Sequence, residues 1–198
     1  MSPVIVTNIV SLDGFDRDAS DSPLSLNMDP AFDAYNLEWI RAAGAVLLGA
    51  RSYQMFSSFW PHVADAPADP ANPALSPTNR EFSAIYNRVP KVVVSDSYAP
   101  EADNPWFTTT TAVRRDEVAS WLEANQEAVG DVVVFASSTT WNGLLRQGLV
   151  DELHFVVSPC TLGSGRPALP GRNELNLLEA RALPDSANVL VRYAPVRA

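Results

Sequence analysis

The chain is poor in the residues that carry covalent and metal chemistry. Among its 198 residues there is one cysteine, Cys160, so no internal disulfide can form. It follows Pro159, has no base near it in sequence, and reads as a small packed thiol. The two histidines, His62 and His154, stand far apart without metal-ligand spacing, which argues against a zinc site. His154 falls inside a strand pattern and reads as packed. A single lysine, Lys91, leaves one candidate for Schiff-base chemistry. No apolar run approaches the length of a membrane span. Ser2-Pro3 leads straight into a strand-like segment without a signal pattern, so a cytoplasmic protein is expected. Positive charge is scarce too. Against 23 acidic residues stand 14 basic ones, a net charge of -9, and a nucleic-acid partner is not expected.

What is present is an ordinary globular composition, 46% hydrophobic, in a chain long enough for one domain over residues 1–198. The organising stretch is Asp131 to Gly165. It begins with the apolar run Val132–Phe135, passes through Ala136-Ser137-Ser138-Thr139-Thr140, and continues as an amphipathic segment with Trp141, Leu144 and Leu145 at helical spacing. A second apolar run, Leu153–Val157, leads into Gly163-Ser164-Gly165. This reads as strand, tight turn, helix, strand. A helix that starts directly after a buried strand aims free N–H groups and a positive dipole end at one point, which suits a phosphate.

Elsewhere, Val4–Leu12 reads as a buried strand, Phe15–Met28 as a loop, and Asp29-Pro30 as a helix start. Ala45–Leu48 and Lys91–Ser95 read as further strands. Ala50–Phe59, Asn79–Asn87 and Arg115–Ala128 read as helices, and the Pro-rich Trp60–Thr78 as a surface loop. Leu175–Leu183 and Val189–Tyr193 form an expected hairpin. Asp151-Glu152 reads as a solvated edge and Arg114-Arg115 as a helix-flanking charge pair. Strands that alternate with helices predict an α/β fold with a mostly parallel sheet and an antiparallel C-terminal hairpin. Four small-polar clusters follow strands: Ser11–Gly14, Gly49–Ser52, Ser95–Ser97 and Ala136–Thr140. α/β sheets place ligands at such ends.

The motifs SLDGF (Ser11–Phe15), LLGARSYQMF (Leu47–Phe56), KVVVS (Lys91–Ser95), GLVDELHF (Gly148–Phe155) and SPCTLGSGRP (Ser158–Pro167) carry a resemblance. Together with the turn at Val132–Leu145, they resemble the dihydrofolate reductase-like family, in the branch of the riboflavin-biosynthesis deaminase-reductase C-terminal domain. The resemblance implies a three-layer α/β/α fold and a reduced nicotinamide dinucleotide, usually NADPH, with NADH possible. It implies hydride transfer to a small heterocyclic substrate, related to the reduction of 5-amino-6-(5-phosphoribosylamino)uracil in riboflavin biosynthesis. By the same carry-over, Ser137, Ser138, Thr139 and Thr140 would hold the pyrophosphate. Gly49, Arg51 and Ser52 would sit near the adenosine-side phosphates, and Ser95 near the adenine ribose. Trp141 would close the pocket beside the nicotinamide, flanked by Leu12 and Asp13. Asp33 would be the buried carboxylate that handles the proton; a carboxylate in the first helical turn equally suits the helix dipole.

Three positions depart from the family pattern. Ala50 stands where an Arg is usual, Ala136 where a Gly is usual in the phosphate turn, and Asp96 follows Ser95 and would oppose a 2′-phosphate. They support an alternative, a non-catalytic member that binds a nucleotide or small molecule. Phe59-Trp60 reads as either a lid or an anchor for the long loop. A homodimer through the C-terminal hairpin is a further expectation.

Overall fold

The computed structural model describes residues 2–67 and 69–197. In chain order the elements are β1 (Val4–Ser11), β2 (Phe15–Arg17), α1 (Pro30–Ala42), β3 (Ala45–Gly49), α2 (Ala50–Phe59), α3 (Pro77–Tyr86), β4 (Lys91–Val94) and β5 (Thr110–Val113). They continue as α4 (Val118–Val129), β6 (Val132–Phe135), α5 (Ser138–Arg146), β7 (Glu152–Ser158), β8 (Arg166–Pro167), β9 (Leu175–Ala182) and β10 (Val189–Pro195).

Eight strands form one sheet in the order β5-β4-β3-β6-β1-β7-β10-β9. The first six run parallel, and β10 and β9 close the far end antiparallel. β1, β3, β4 and β6 are buried almost throughout. That explains their unbroken β-branched runs, since a parallel strand covered on both faces has no polar side to show. Leu37, Ile40, Tyr53, Phe82 and Tyr86 pack α1, α2 and α3 on one face of the sheet. Val118, Leu122, Trp141 and Leu144 pack α4 and α5 on the other. The three-layer expectation is met.

The helix starts follow sequence rules. Asp29 caps α1 by accepting from Ala31 N and Phe32 N at 3.1 and 3.0 Å, with Pro30 at the first helical position. α3 begins at Pro77, two residues earlier than expected, because Ser76 caps it from Asn79 N at 3.2 Å. The Pro-rich loop spans position 68, which lies outside the described residues. It is organised by Arg80, whose guanidinium donates to the carbonyls of Ala64, Ala66, Pro67 and Leu75 at 2.7–3.2 Å.

Two expectations are corrected here. Phe15–Met28 is not wholly loop, since it opens with β2, which pairs antiparallel with β8. Gly165 makes that pairing feasible. At φ 137° it lies so close to Arg17 O that a Cβ there would sit 2.0 Å away. Asp151 and Glu152 are not a solvated edge. Asp151 accepts from Val4 N at 2.7 Å, and Glu152 meets Arg192 and the buried His154 at 2.7 and 2.8 Å.

Candidate functional site

The carboxyl ends of β1, β3, β4 and β6 open onto two cavities. The first, about 480 Å³, lies over the α1–α3 face. The second, about 740 Å³, runs along the starts of α2 and α5 and past Ser95. Arg17, Ser138 and Arg166 border both, so these three residues form the seam between them.

The start of α5 builds one wall of the second cavity. β6 ends at Phe135, and Ala136 and Ser137 then take positive φ, 49° and 55°, which turns the chain straight into the helix. Left-handed backbone costs a non-glycine residue roughly 1 kcal/mol or more. The turn is held by Ser137 Oγ, which accepts from Gly49 N at 3.1 Å. β3 and α5 approach closely there. A Cβ on Gly49 would meet Thr140 Oγ1 at 2.4 Å, so a larger residue there would have to displace that hydroxyl. Thr140 N already donates to Ser137 O at 2.8 Å, and the N–H groups of Ser138 and Thr139 stand at the positive end of the helix dipole. Thr139 and Thr140 line the same wall, as do Gly49, Arg51, Ser52 and Ser95.

Arginines concentrate there. Arg17, Arg51, Arg115, Arg146 and Arg166 all line the second cavity, in a protein of net charge -9. Arg51 meets Asp21 at 2.7 Å and Arg115 meets Asp96 at 2.7 Å, both exposed pairs that an incoming anion can reorganise at little cost. The Asp96 charge is therefore answered by Arg115, whose N–H also donates to it at 3.0 Å and holds its carboxyl below the usual range. Read from the sequence, Asp96 opposed a phosphate and Arg115 was a flanking charge. In the fold the pair supplies a guanidinium to the cavity.

Several expected site residues sit elsewhere. Trp141 does not border either cavity. It is fully buried against Leu144 and Phe155, with its ring 6.1 Å from that of Phe155. Its own periodicity explains this, because a residue on the apolar stripe of α5 must face the sheet. Leu12 is 71% exposed and borders neither cavity. Asp13 also stands apart. Its carboxylate accepts from Ser11 Oγ, Leu162 N and Gly163 N at 2.6–3.0 Å, which ties the end of β1 to the loop after β7. The Ser11 hydroxyl, then these amides, hold its carboxyl at about 2. Ala136 borders the first cavity, not the phosphate wall. Ser138 is buried, and its hydroxyl is already engaged by Asp16 and Arg166.

The first cavity is walled by aromatic rings and polar on one side. Asp33 projects from α1 among them. Its Oδ2 accepts from Asn79 Nδ2 at 2.9 Å, and burial pushes its carboxyl above the usual range. Asn36 and Thr7 continue this polar strip, joined at 2.9 Å. Phe59 and Trp60 divide the two roles read for them. Phe59 lines the rim and remains exposed, whereas Trp60 anchors the loop on Phe82, with ring centroids 4.6 Å apart and Ser83 Oγ donating to its carbonyl at 2.6 Å.

Sequence reading missed the seam itself. Asp16 is buried and takes Arg166 in two bonds, Nε to Oδ1 at 2.9 Å and Nη2 to Oδ2 at 3.0 Å, with Asn8 Nδ2 at 3.4 Å. The two residues are 150 positions apart, and only the short β2–β8 pairing brings them together.

The residues present fit a dinucleotide. An elongated, arginine-lined cavity with a helix start and a close glycine approach offers what a pyrophosphate requires. Among the described residues no His/Cys/Asp/Glu cluster could hold a metal, and no helix is long and apolar enough to cross a membrane.

Solved structures with this fold include a Shewanella sp. PV-4 protein assigned to riboflavin biosynthesis, 19% identical, with TM-score 0.68 and all of both chains covered. RibD of Acinetobacter baumannii is 18% identical, with TM-score 0.71 over 100% of this chain and 59% of its own. A Thermotoga maritima diaminohydroxyphosphoribosylaminopyrimidine deaminase/5-amino-6-(5-phosphoribosylamino)uracil reductase is 18% identical, with TM-score 0.65 over 98% of this chain and 57% of its own. At such identities the likeness establishes the fold. No curated protein sequence matches the chain. The family model for the RibD C-terminal domain matches residues 3–190, and the chain belongs to that family.

Proposed function

We propose that the chain is a reductase that uses a reduced nicotinamide dinucleotide, held along the second cavity, to reduce a small ring compound held in the first. One observation carries this reading: a dinucleotide-sized, arginine-lined cavity and a ring-walled one share Arg17, Ser138 and Arg166. Membership of the RibD C-terminal domain family supports it, as does the reductase named in the Thermotoga relative.

Bound there, the dinucleotide would supply a hydride. Thr139, Thr140 and the α5 start would hold its pyrophosphate, and Arg51 and Arg115 its outer phosphates; two guanidiniums favour NADPH over NADH. The chain's own residues do the rest. Asp33, with its carboxyl raised by burial, holds a proton at a pH where an ordinary carboxylate has lost it, and Asn79 fixes its orientation. Phe32, Phe59 and Phe82 keep water from the reacting ring. Otherwise the rate comes from holding the two ligands side by side.

The decisive experiment is calorimetric titration with NADPH and NADH. Micromolar NADPH binding that Arg51→Ala and Arg115→Ala each weaken about tenfold is the expected result. Binding of neither nucleotide would leave the non-catalytic alternative.

A further inference from the structure

We infer that the substrate of this chain is a flat, largely apolar ring compound that carries no phosphate. This rests on the reductase reading above and concerns only what enters the first cavity.

The walls of that cavity are Phe32, Phe56, Phe82, Phe135 and Trp60. Its rim is apolar as well. Leu24, Met28, Met55 and Phe59 line it and remain exposed to solvent. Exposed apolar side chains gathered at one mouth mark a surface that an apolar ligand covers. Away from the Arg17–Ser138–Arg166 seam and its Asp16, the polar groups that line it are neutral or acidic: Thr7, Asn8, Asn36, Ser58, Asn79 and Asp33.

A phosphate is favoured by a free guanidinium, an ammonium or a helix start. The α5 start reaches this cavity only through Ser138, whose hydroxyl is engaged by Asp16 and Arg166. Among the described residues only two cations border this cavity, Arg17 and Arg166, both at the seam, and both are committed. Arg166 gives Nε and Nη2 to Asp16 at 2.9 and 3.0 Å. Arg17 donates Nη1 to the Asp21 carbonyl at 2.8 Å, and its Nε faces the Asp21 carboxylate at 3.6 Å. The Asp16 side chain is 2% exposed, so a phosphate that took Arg166 would leave a buried carboxylate without its cation. That exchange is unfavourable, because an uncompensated buried charge is strongly destabilising. A phosphate deeper in the cavity would face the Asp33 carboxyl. The basic second cavity is where phosphate-bearing ligands partition, and the volume of the first, about 480 Å³, suits a small ring system.

The test uses N-phenyl-1-naphthylamine, a neutral aromatic probe that brightens in apolar surroundings, on the full chain. Saturable one-to-one binding is expected. It should be weakened at least about fivefold in the Met55→Ser/Phe59→Ser double variant, whose altered side chains are exposed, and ribose 5-phosphate should not displace it. Absent saturation, insensitivity to the double variant at an unchanged melting temperature, or displacement by ribose 5-phosphate would each overturn the inference. The NADPH titration is read separately. Its failure would remove the reductase reading and leave the probe result to decide the chemistry of the cavity.

Discussion

Asp33 and Asp16 show how little of a carboxylate's role lies in its own letter. Asp16 is buried and Asp33 half-buried, both face the first cavity, and they do opposite things. Asp16 is met by a guanidinium in two bonds and serves as the anchor of the seam. Asp33 is met by a neutral amide, so burial dominates and its carboxyl rises. Asp33→Asn removes the proposed proton source while keeping size and polarity. We expect kcat to fall roughly 100-fold or more, with the NADPH Kd unchanged, in steady-state and titration measurements. On the proposed mechanism the acid form is the active one in the parent. The rate should therefore be full below the raised Asp33 pKa and fall as pH climbs through it, and Asp33→Asn should lack that limb. Ala136 offers a second test at this scale. Its φ of 49° is glycine territory, so Ala136→Gly should be neutral or stabilising by up to about 1 kcal/mol in thermal melts, strain relief being partly offset by chain entropy.

Among the elements, legibility tracked length and period. β1 and the start of α1 were readable because eight buried residues in a row, or Asp-Pro before an apolar stripe, have few other solutions. The strand–turn–helix at β6–α5 was readable too, but the direction of Trp141 was not drawn from the stripe that contains it. β2 and β8 were invisible. Three and two residues carry no period, and what pairs them is backbone proximity across the chain. The Asp16–Arg166 seam was lost with them, and with it the reason Ser138 is not free for a phosphate. Gly165→Ala tests this element directly. A methyl 2.0 Å from Arg17 O at φ 137° must force β2 and β8 apart, at a cost of roughly 2 kcal/mol or more. Because Arg17 and Arg166 border both cavities, KM for dinucleotide and for substrate should rise together; a change in only one would contradict this account.

For the whole molecule, the scarce cations set a pH signature. His154 lies fully buried between Tyr35 and Glu152, 2.8 Å from each, with Arg192 at 3.2 Å. Burial pushes it down to about 4. Its folded pKa is below the unfolded one, so the unfolded chain takes up the proton first. Stability is whole above about 6.5 and drains as pH falls towards 4, by about 3 kcal/mol. Lys91 is likewise buried, over the Trp106 ring at 4.6 Å and bonded to Val89 O at 2.8 Å, and burial brings it down to about 7. The same sign makes stability rise as pH goes from 7 towards 10. There the buried tyrosines, whose pKa values are raised, reverse the trend because their unfolded counterparts ionise first. Denaturant melts across this range should show two rising limbs, and Lys91→Met should erase the upper one. Both groups are single representatives of their type in a strand, and composition alone could not show that each is sealed under an aromatic ring.

The seam has a thermodynamic consequence. Two ligands that touch the same three side chains cannot bind independently. Whatever rearrangement of Arg17, Ser138 and Arg166 the dinucleotide induces is already complete when the ring compound arrives, and the reverse holds by the same amount. On the proposed reading, occupancy of one cavity therefore shifts the affinity of the other by the same factor in either direction, through side chains that a two-residue strand holds in place.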